Sequence, residues 1–148
     1  MGTPFDNVYD RALTTIQDYH LDKIAKTQYD TFIQFMEGVL LYSIPFFDKC
    51  KTSLSYDIDS KSFNETLSDK EVNILAEIMV TKWFEGKVQD VTQFEGKLSN
   101  REFKTFSEAQ NLKMKSSYLD GLREKYRQDI TEYSLSPQHF ADIFNITL

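Results

Sequence analysis

Apolar residues recur at helical steps along most of this chain. The longest stripe is Leu112, Leu119, Leu122, Tyr126, Ile130 and Tyr133, a narrow line along one side of a helix. Ser107 and Gln110 stand three residues apart just before it, a capping-box pattern that predicts a helix from Ser107 to about Tyr133. At 1.5 Å per residue it would be roughly 40 Å long, whereas a compact domain of this size has a radius of gyration of about 15 Å. Such a helix needs a partner helix and neighbouring subunits to cover its length. A second capping box, Ser68 with Glu71, is flanked by Leu67 and Val72 as a hydrophobic staple. Val72, Leu75, Ala76, Met79 and Trp83, then Val91, Phe94 and Leu98, predict a helix from Asp69 to about Leu98, with Gly86 as a weak point. Trp83 belongs to its buried stripe, with Leu112 nearby.

The first half carries shorter elements. Thr3 as N-cap, Pro4 at the first helical position and Asp6 at the third predict a helix over residues 4–19 with Phe5, Val8, Tyr9, Ala12, Leu13 and Ile16 inward. Thr27 and Asp30 repeat the cap pattern before Tyr29, Phe32, Ile33, Met36, Val39 and Leu40. Apolar residues nearly all round from Val39 to Tyr42 predict a central, well-buried helix, broken near Ser43 by Pro45. Residues 48–67 change to polar–apolar alternation and predict a small β-hairpin or an ordered loop. Asp57 and Asp59 invite a calcium reading, but no glycine or glutamate follows at the EF-hand positions, so a plain turn is expected. The link from Ser99 to Phe106 holds Phe103 and Phe106, either pegs closing the helix hairpin or contacts for a partner. After Tyr133, Pro137 stops the helix, and Phe140, Ile143 and Phe144 form a frayed terminus or a docking tail. The fold expected is all-α, a helical bundle built on a long antiparallel helix pair. Residues 1–134 form its body, with the hairpin or loop as an insertion, and 135–148 an extended C-terminal tail.

Composition narrows the class. Only 5 Gly and 3 Pro disfavour a many-turned β-sandwich. The longest apolar run, around Val39 to Phe47, is interrupted by Ser43 and Pro45, so no membrane span is expected. The opening MGTPFDNVYDR has neither the basic and apolar regions of a secretory signal nor the Ser/Thr of a myristoylation signal. Cys50 is alone, which excludes an intramolecular disulfide and suits assembly in a reducing cytoplasm. The net charge of −6 is uneven: −7 over residues 1–96, +4 over 97–127 and −3 over 128–148. An acidic body with one basic segment argues against general nucleic-acid binding. The basic segment is either a solvated helix face or one half of a head-to-tail contact between copies.

Catalytic chemistry has little material. His20 and His139 have no partner at metal-ligand spacing, and no phosphate-binding glycine loop or nucleophile elbow is present. Cys50 lies between Lys49 and Lys51, which could lower its thiol pKa, but a half-buried structural thiol is the plainer reading. No enzyme, cofactor or metal is expected.

The strings LSYDIDSKSFN, LSDKEVNILAEIMVTKWFEGKVQDVTQFEGKL and REFKTFSEAQNLKMK, with the spaced ending up to residue 134, resemble small helical neck proteins of tailed bacteriophages, the head–tail connectors or adaptors. The likeness covers about residues 54–134, and WFEGKVQD and FKTFSEAQNLK are its most specific pieces. It implies a structural virion protein made in the host cytoplasm: a homo-oligomeric ring, commonly twelvefold, seated between the portal protein and other neck or tail-completion proteins. DNA would pass through its channel without sequence-specific binding. The alternative is a small cytosolic helical adaptor or regulator of a partner protein. In either case the candidate interface residues are the basic Lys97, Arg101, Lys104, Lys113 and Lys115, and the aromatic Phe103, Phe106, Phe140 and Phe144. Acidic counterparts are expected on the first helix and around Glu77 and Glu85.

Overall fold

A computed structural model describes residues 2–16, 26–97 and 102–135, with the side chains of 87–97, 102–112 and 114 outside the description. The chain is mostly helical. Its elements are α1 (Phe5–Thr15), α2 (Tyr29–Ser43), a 3-10 turn (Ile44–Phe46), β1 (Tyr56–Asp57), β2 (Ser62–Phe63), α3 (Asp69–Lys97) and α4 (Glu102–Ser134). Helices α1, α2 and α4 all pack on α3, and α4 does so most extensively.

The centre of the molecule is α3, not α2. Between Glu71 and Thr81 the buried positions Ile74, Leu75, Ile78, Met79 and Val80 surround the helix, because it is covered on several sides at once. Each outer helix contributes a stripe at three- and four-residue steps: Phe5, Val8, Tyr9 and Ala12 from α1, Phe32, Met36 and Leu40 from α2, and Tyr126, Ile130 and Tyr133 from α4. The all-round apolar stretch of α2 therefore misleads. One of its faces meets the core, while Phe35 and Tyr42 remain 44% and 60% exposed. Trp83 is likewise half-buried at the edge of the core rather than inside it, and Leu112 lies outside the described side chains.

Local signals decide where helices start and stop, with four corrections. The Ser68–Glu71 capping box forms: the Glu71 N–H donates to Ser68 Oγ at 3.1 Å, and the Ser68 N–H donates to Glu71 Oε1 at 2.8 Å. Leu67 and Val72 are both buried beside it. Pro45 ends α2 as expected, and the chain tightens into the 3-10 turn. Thr3, however, does not cap α1. Pro4 takes the N-cap position, and the Thr3 hydroxyl instead accepts the Leu67 N–H at 2.8 Å. Thr27 does not cap α2 either, since Gln28 precedes its first residue and makes no side-chain cap. Ser107 lies inside α4, because no Gly or Pro between Glu102 and Phe106 stops the helix from starting earlier. The first helix ends at Thr15, with Ile16 extended, so it is shorter than the expected span; residues 17–19 lie outside the described residues.

The hairpin is real and small. Tyr56 pairs with Phe63 and Asp57 with Ser62, antiparallel. Its turn is the plain one: the Asp59 N–H donates to Asp57 Oδ1 at 2.9 Å, and Lys61 takes the left-handed conformation at φ 54°. The N-terminal segment runs along it as a third edge. The Phe63 N–H donates to the Thr3 carbonyl at 2.8 Å, and the Lys61 carbonyl accepts the first N–H of α1, that of Phe5, at 2.9 Å. A Cβ at Gly2 would stand 1.5 Å from the Phe63 carbonyl oxygen, so this close approach requires glycine. Phe63, 1% exposed, turns inward and meets Phe5 edge-on with centroids 5.2 Å apart. Phe63→Ala is expected to cost about 3–5 kcal/mol in urea unfolding, against under about 0.5 kcal/mol for Ile58→Ala on the exposed side of the same hairpin.

Candidate interaction surfaces

Polar order in the interior centres on Glu71, which is 3% exposed. The capping box places this carboxylate at the start of α3, where four donors reach it. Oε1 accepts the Ser68 N–H and the Thr52 hydroxyl (3.0 Å); Oε2 accepts the Tyr133 hydroxyl (2.6 Å) and the Cys50 thiol (3.3 Å). The Tyr133 hydroxyl in turn accepts the Lys51 N–H at 2.8 Å. Burial by itself would raise the Glu71 pKa, but these hydrogen bonds to the charged form outweigh it and bring the carboxyl down to about 2. The Cys50 thiol moves the other way, pushed up to about 12 first by burial and then by the adjacent Glu71 charge. The flanking lysines therefore do not activate it, and Cys50 serves as a half-buried hydrogen-bond donor.

The acidic groups expected to face a neighbouring copy are engaged within the chain. Glu77 Oε1 meets Lys125 Nζ at 3.0 Å, and Glu85 Oε1 meets Lys82 at 3.3 Å and Arg123 Nε at 3.1 Å. Positions rising along α3 thus meet positions falling along α4, from Glu71–Tyr133 through Glu77–Lys125 to Glu85–Arg123. On α1, Asp6 and Asp10 do remain exposed. Of the basic candidates, Lys113 and Lys115 project from α4 as exposed side chains. Lys97 ends α3, and Phe103, Lys104 and Phe106 belong to the first turns of α4 rather than to a link; their side chains lie outside the description. Arg101, Phe140, Phe144, His20 and His139 lie outside the described residues.

Two surfaces escaped the sequence reading. The first is the outer face of α2 and the turn after it, where Thr31, Gln34, Phe35, Gly38, Tyr42 and Pro45 are exposed and none is charged. Tyr42 and Phe46 touch, with ring centroids 5.6 Å apart, and a Cβ on Gly38 would meet nothing within 4 Å. The signal for it is the apolar character of α2 nearly all round, which burial alone would equally produce. The second is a groove of about 580 Å³ between the 3-10 turn and α4. Lys49, Lys82, Arg123 and Arg127 line it against only Asp48 and Glu85, and Phe46, Tyr126 and Ile130 give it apolar walls. Lys82 Nζ lies 3.7 Å over the Phe46 ring centre. No periodicity joins residues 46–49 to 123–131, so only folding brings them together.

Among the described residues no cluster of three or more His, Cys, Asp or Glu side chains could hold a metal ion, and no helix is long and apolar enough to cross a membrane. Compared with protein-family models, with curated proteins and with solved structures, the chain matches none.

The two carboxylates give opposite acid responses. Glu71 is harder to protonate folded than unfolded, so its contribution, roughly 3 kcal/mol, is fully present above its unfolded pKa near 4.5 and is lost as pH falls toward 2. Tyr133→Phe removes one donor to this charge and should cost about 1.5–3 kcal/mol at pH 7. It should also narrow the acid-sensitive window, as read from urea midpoints between pH 7 and 2. Glu77 is raised to about 7, first by burial and then by the neighbouring Asp129 carboxyl, with Lys125 opposing. The folded chain then holds a proton that the unfolded chain releases, and stability falls as pH rises from about 4.5 to 7. Glu77→Gln should flatten that part of the pH profile; an unchanged slope would assign it to another group.

Proposed function

We propose that this chain is a non-enzymatic assembly subunit: a structural neck protein of a tailed phage that forms a ring between the portal vertex and the tail. The observation that carries the assembly part is the outer face of α2, which is aromatic, uncharged and open at Gly38 in a molecule of net charge −6. Two acidic copies repel over most of their surfaces and least where no charge faces outward. Exposed Phe and Tyr side chains are typical anchors of protein interfaces. The neck assignment rests on the resemblance of residues 54–134.

In this reading α3 and α4 form a long antiparallel pair over their whole lengths, the stiff wall of the subunit. At 33 residues α4 would extend about 50 Å, more than the rest of the chain can cover. Its basic first half, with Lys97, Arg101, Lys104, Lys113 and Lys115, meets the exposed acids of α1 on the next copy, which gives the head-to-tail contact of a closed ring. Such exposed pairs set register and weaken as salt rises. Phe103, Phe106, Phe140 and Phe144 supply apolar anchors toward the next copy and the portal. The acidic total lets DNA pass through the channel without being held. The ring sits in the virion, after synthesis in the host cytoplasm.

Analytical ultracentrifugation and negative-stain microscopy of the purified chain test this. Rings are expected, and Tyr42→Asp on the outer face of α2 should shift them toward monomers, without changing the circular dichroism of an exposed site. A chain that stays monomeric alone and within a particle would remove the ring and leave the small cytosolic adaptor.

A further inference from the structure

The chain that follows α4 in sequence has chemistry matching the groove beside it. Helix α4 ends at Ser134, and the exposed Leu135 follows, one turn beyond Ile130 and Thr131 at the groove's edge. The sequence then continues SPQHFADIFNITL, with one acid, Asp142, and no Lys or Arg. Phe140, Ile143 and Phe144 stand at i, i+3 and i+4, so one helical turn would present all three on one side. Pro137 favours a change of direction directly after α4. The groove extends back along α4 to Arg123, about 18 Å from Leu135 at 1.5 Å per residue. Residues 136–148 span that distance easily, reaching up to about 43 Å when extended.

We infer that the groove is the seat of the chain's own residues 136–148, with Asp142 against Arg123 and Arg127 and the two phenylalanines against Phe46, Tyr126 and Ile130. Charge and apolar character both match, since the groove carries four bases against two acids and the segment brings an acid among aromatic and aliphatic groups. Attachment in the same chain acts as an effective concentration of about millimolar, so a weak contact is enough to hold the segment. The inference stands on the groove and the segment and not on the ring reading. Where both hold, the seat keeps the tail in place until a partner competes for it.

The test uses the full-length chain with Cys50→Ser and a nitroxide on Asn145→Cys. When isotope and label share one chain, amide signals of Phe46–Lys49 and Arg123–Thr131 should weaken at least about twofold. In a mixture of isotope-labelled and spin-labelled copies they should not, because attachment in cis dominates. Arg127→Glu, an exposed site on α4, and Phe144→Ala should each release the effect. Weakening confined to the mixed sample would place the tail on a neighbouring copy and overturn the inference while favouring a ring. Weakening on α2's outer face, or nowhere, would also overturn it, and neither result bears on whether rings form.

Discussion

Burying the Glu71 carboxylate is the step on which the rest of the fold depends. A charge withdrawn from water costs several kcal/mol unless donors replace its hydration, and here those donors come from three places. Ser68 belongs to the start of α3, Thr52 and Cys50 to the segment leaving α2, and Tyr133 to the end of α4. Removing any of them leaves part of a buried charge unsatisfied, so the three segments are held as a unit. The Tyr133 ring also packs edge-on against Phe47 at 5.3 Å and accepts the Lys51 N–H. That contact fixes the chain just after the 3-10 turn, and with it the outward direction of Phe46.

The same junction separates core from surface. With α3 in the middle, α2 is an outer helix with more apolar residues than its buried face can use. Beyond the charged Asp30 in its first turn, what it keeps exposed is uncharged, with Tyr29, Phe35 and Tyr42 as its aromatic members. Opposite charges on α3 and α4, by contrast, meet each other: Glu85 with Arg123 and Glu77 with Lys125. Internal pairing of these groups leaves the α2 face, Asp6 and Asp10 of α1, the exposed lysines of α4 and the groove beside Phe46 among the open surfaces of the described residues.

Signals that act within a few residues were legible. Ser68 with Glu71 and Leu67 with Val72 mark a helix start whose partners are all local, and Pro45 ends a helix through its own ring and missing N–H. Signals with a competing partner far away were not. Thr3 has the chemistry of an N-cap, yet its hydroxyl accepts from Leu67, sixty-four residues on. Ser107 has a cap's spacing, but nothing before it prevents a helix. Glu77 and Glu85 were legible as acids, while Lys125 and Arg123, which they meet, stand on another helix.

By itself the sequence determined a helical chain interrupted by a hairpin or loop over residues 48–67, the beginning of α3, the end of α2 and the inward stripes of α1 and α4. These follow from periodicity and from capping bonds between neighbours in the chain. Tertiary structure alone decided that α3 rather than α2 is central, that Glu71 collects Cys50, Thr52 and Tyr133, and that bases from four separate positions line one groove. Periodicity states which residues avoid water but not what covers them, because covering depends on how helices distant in sequence come together.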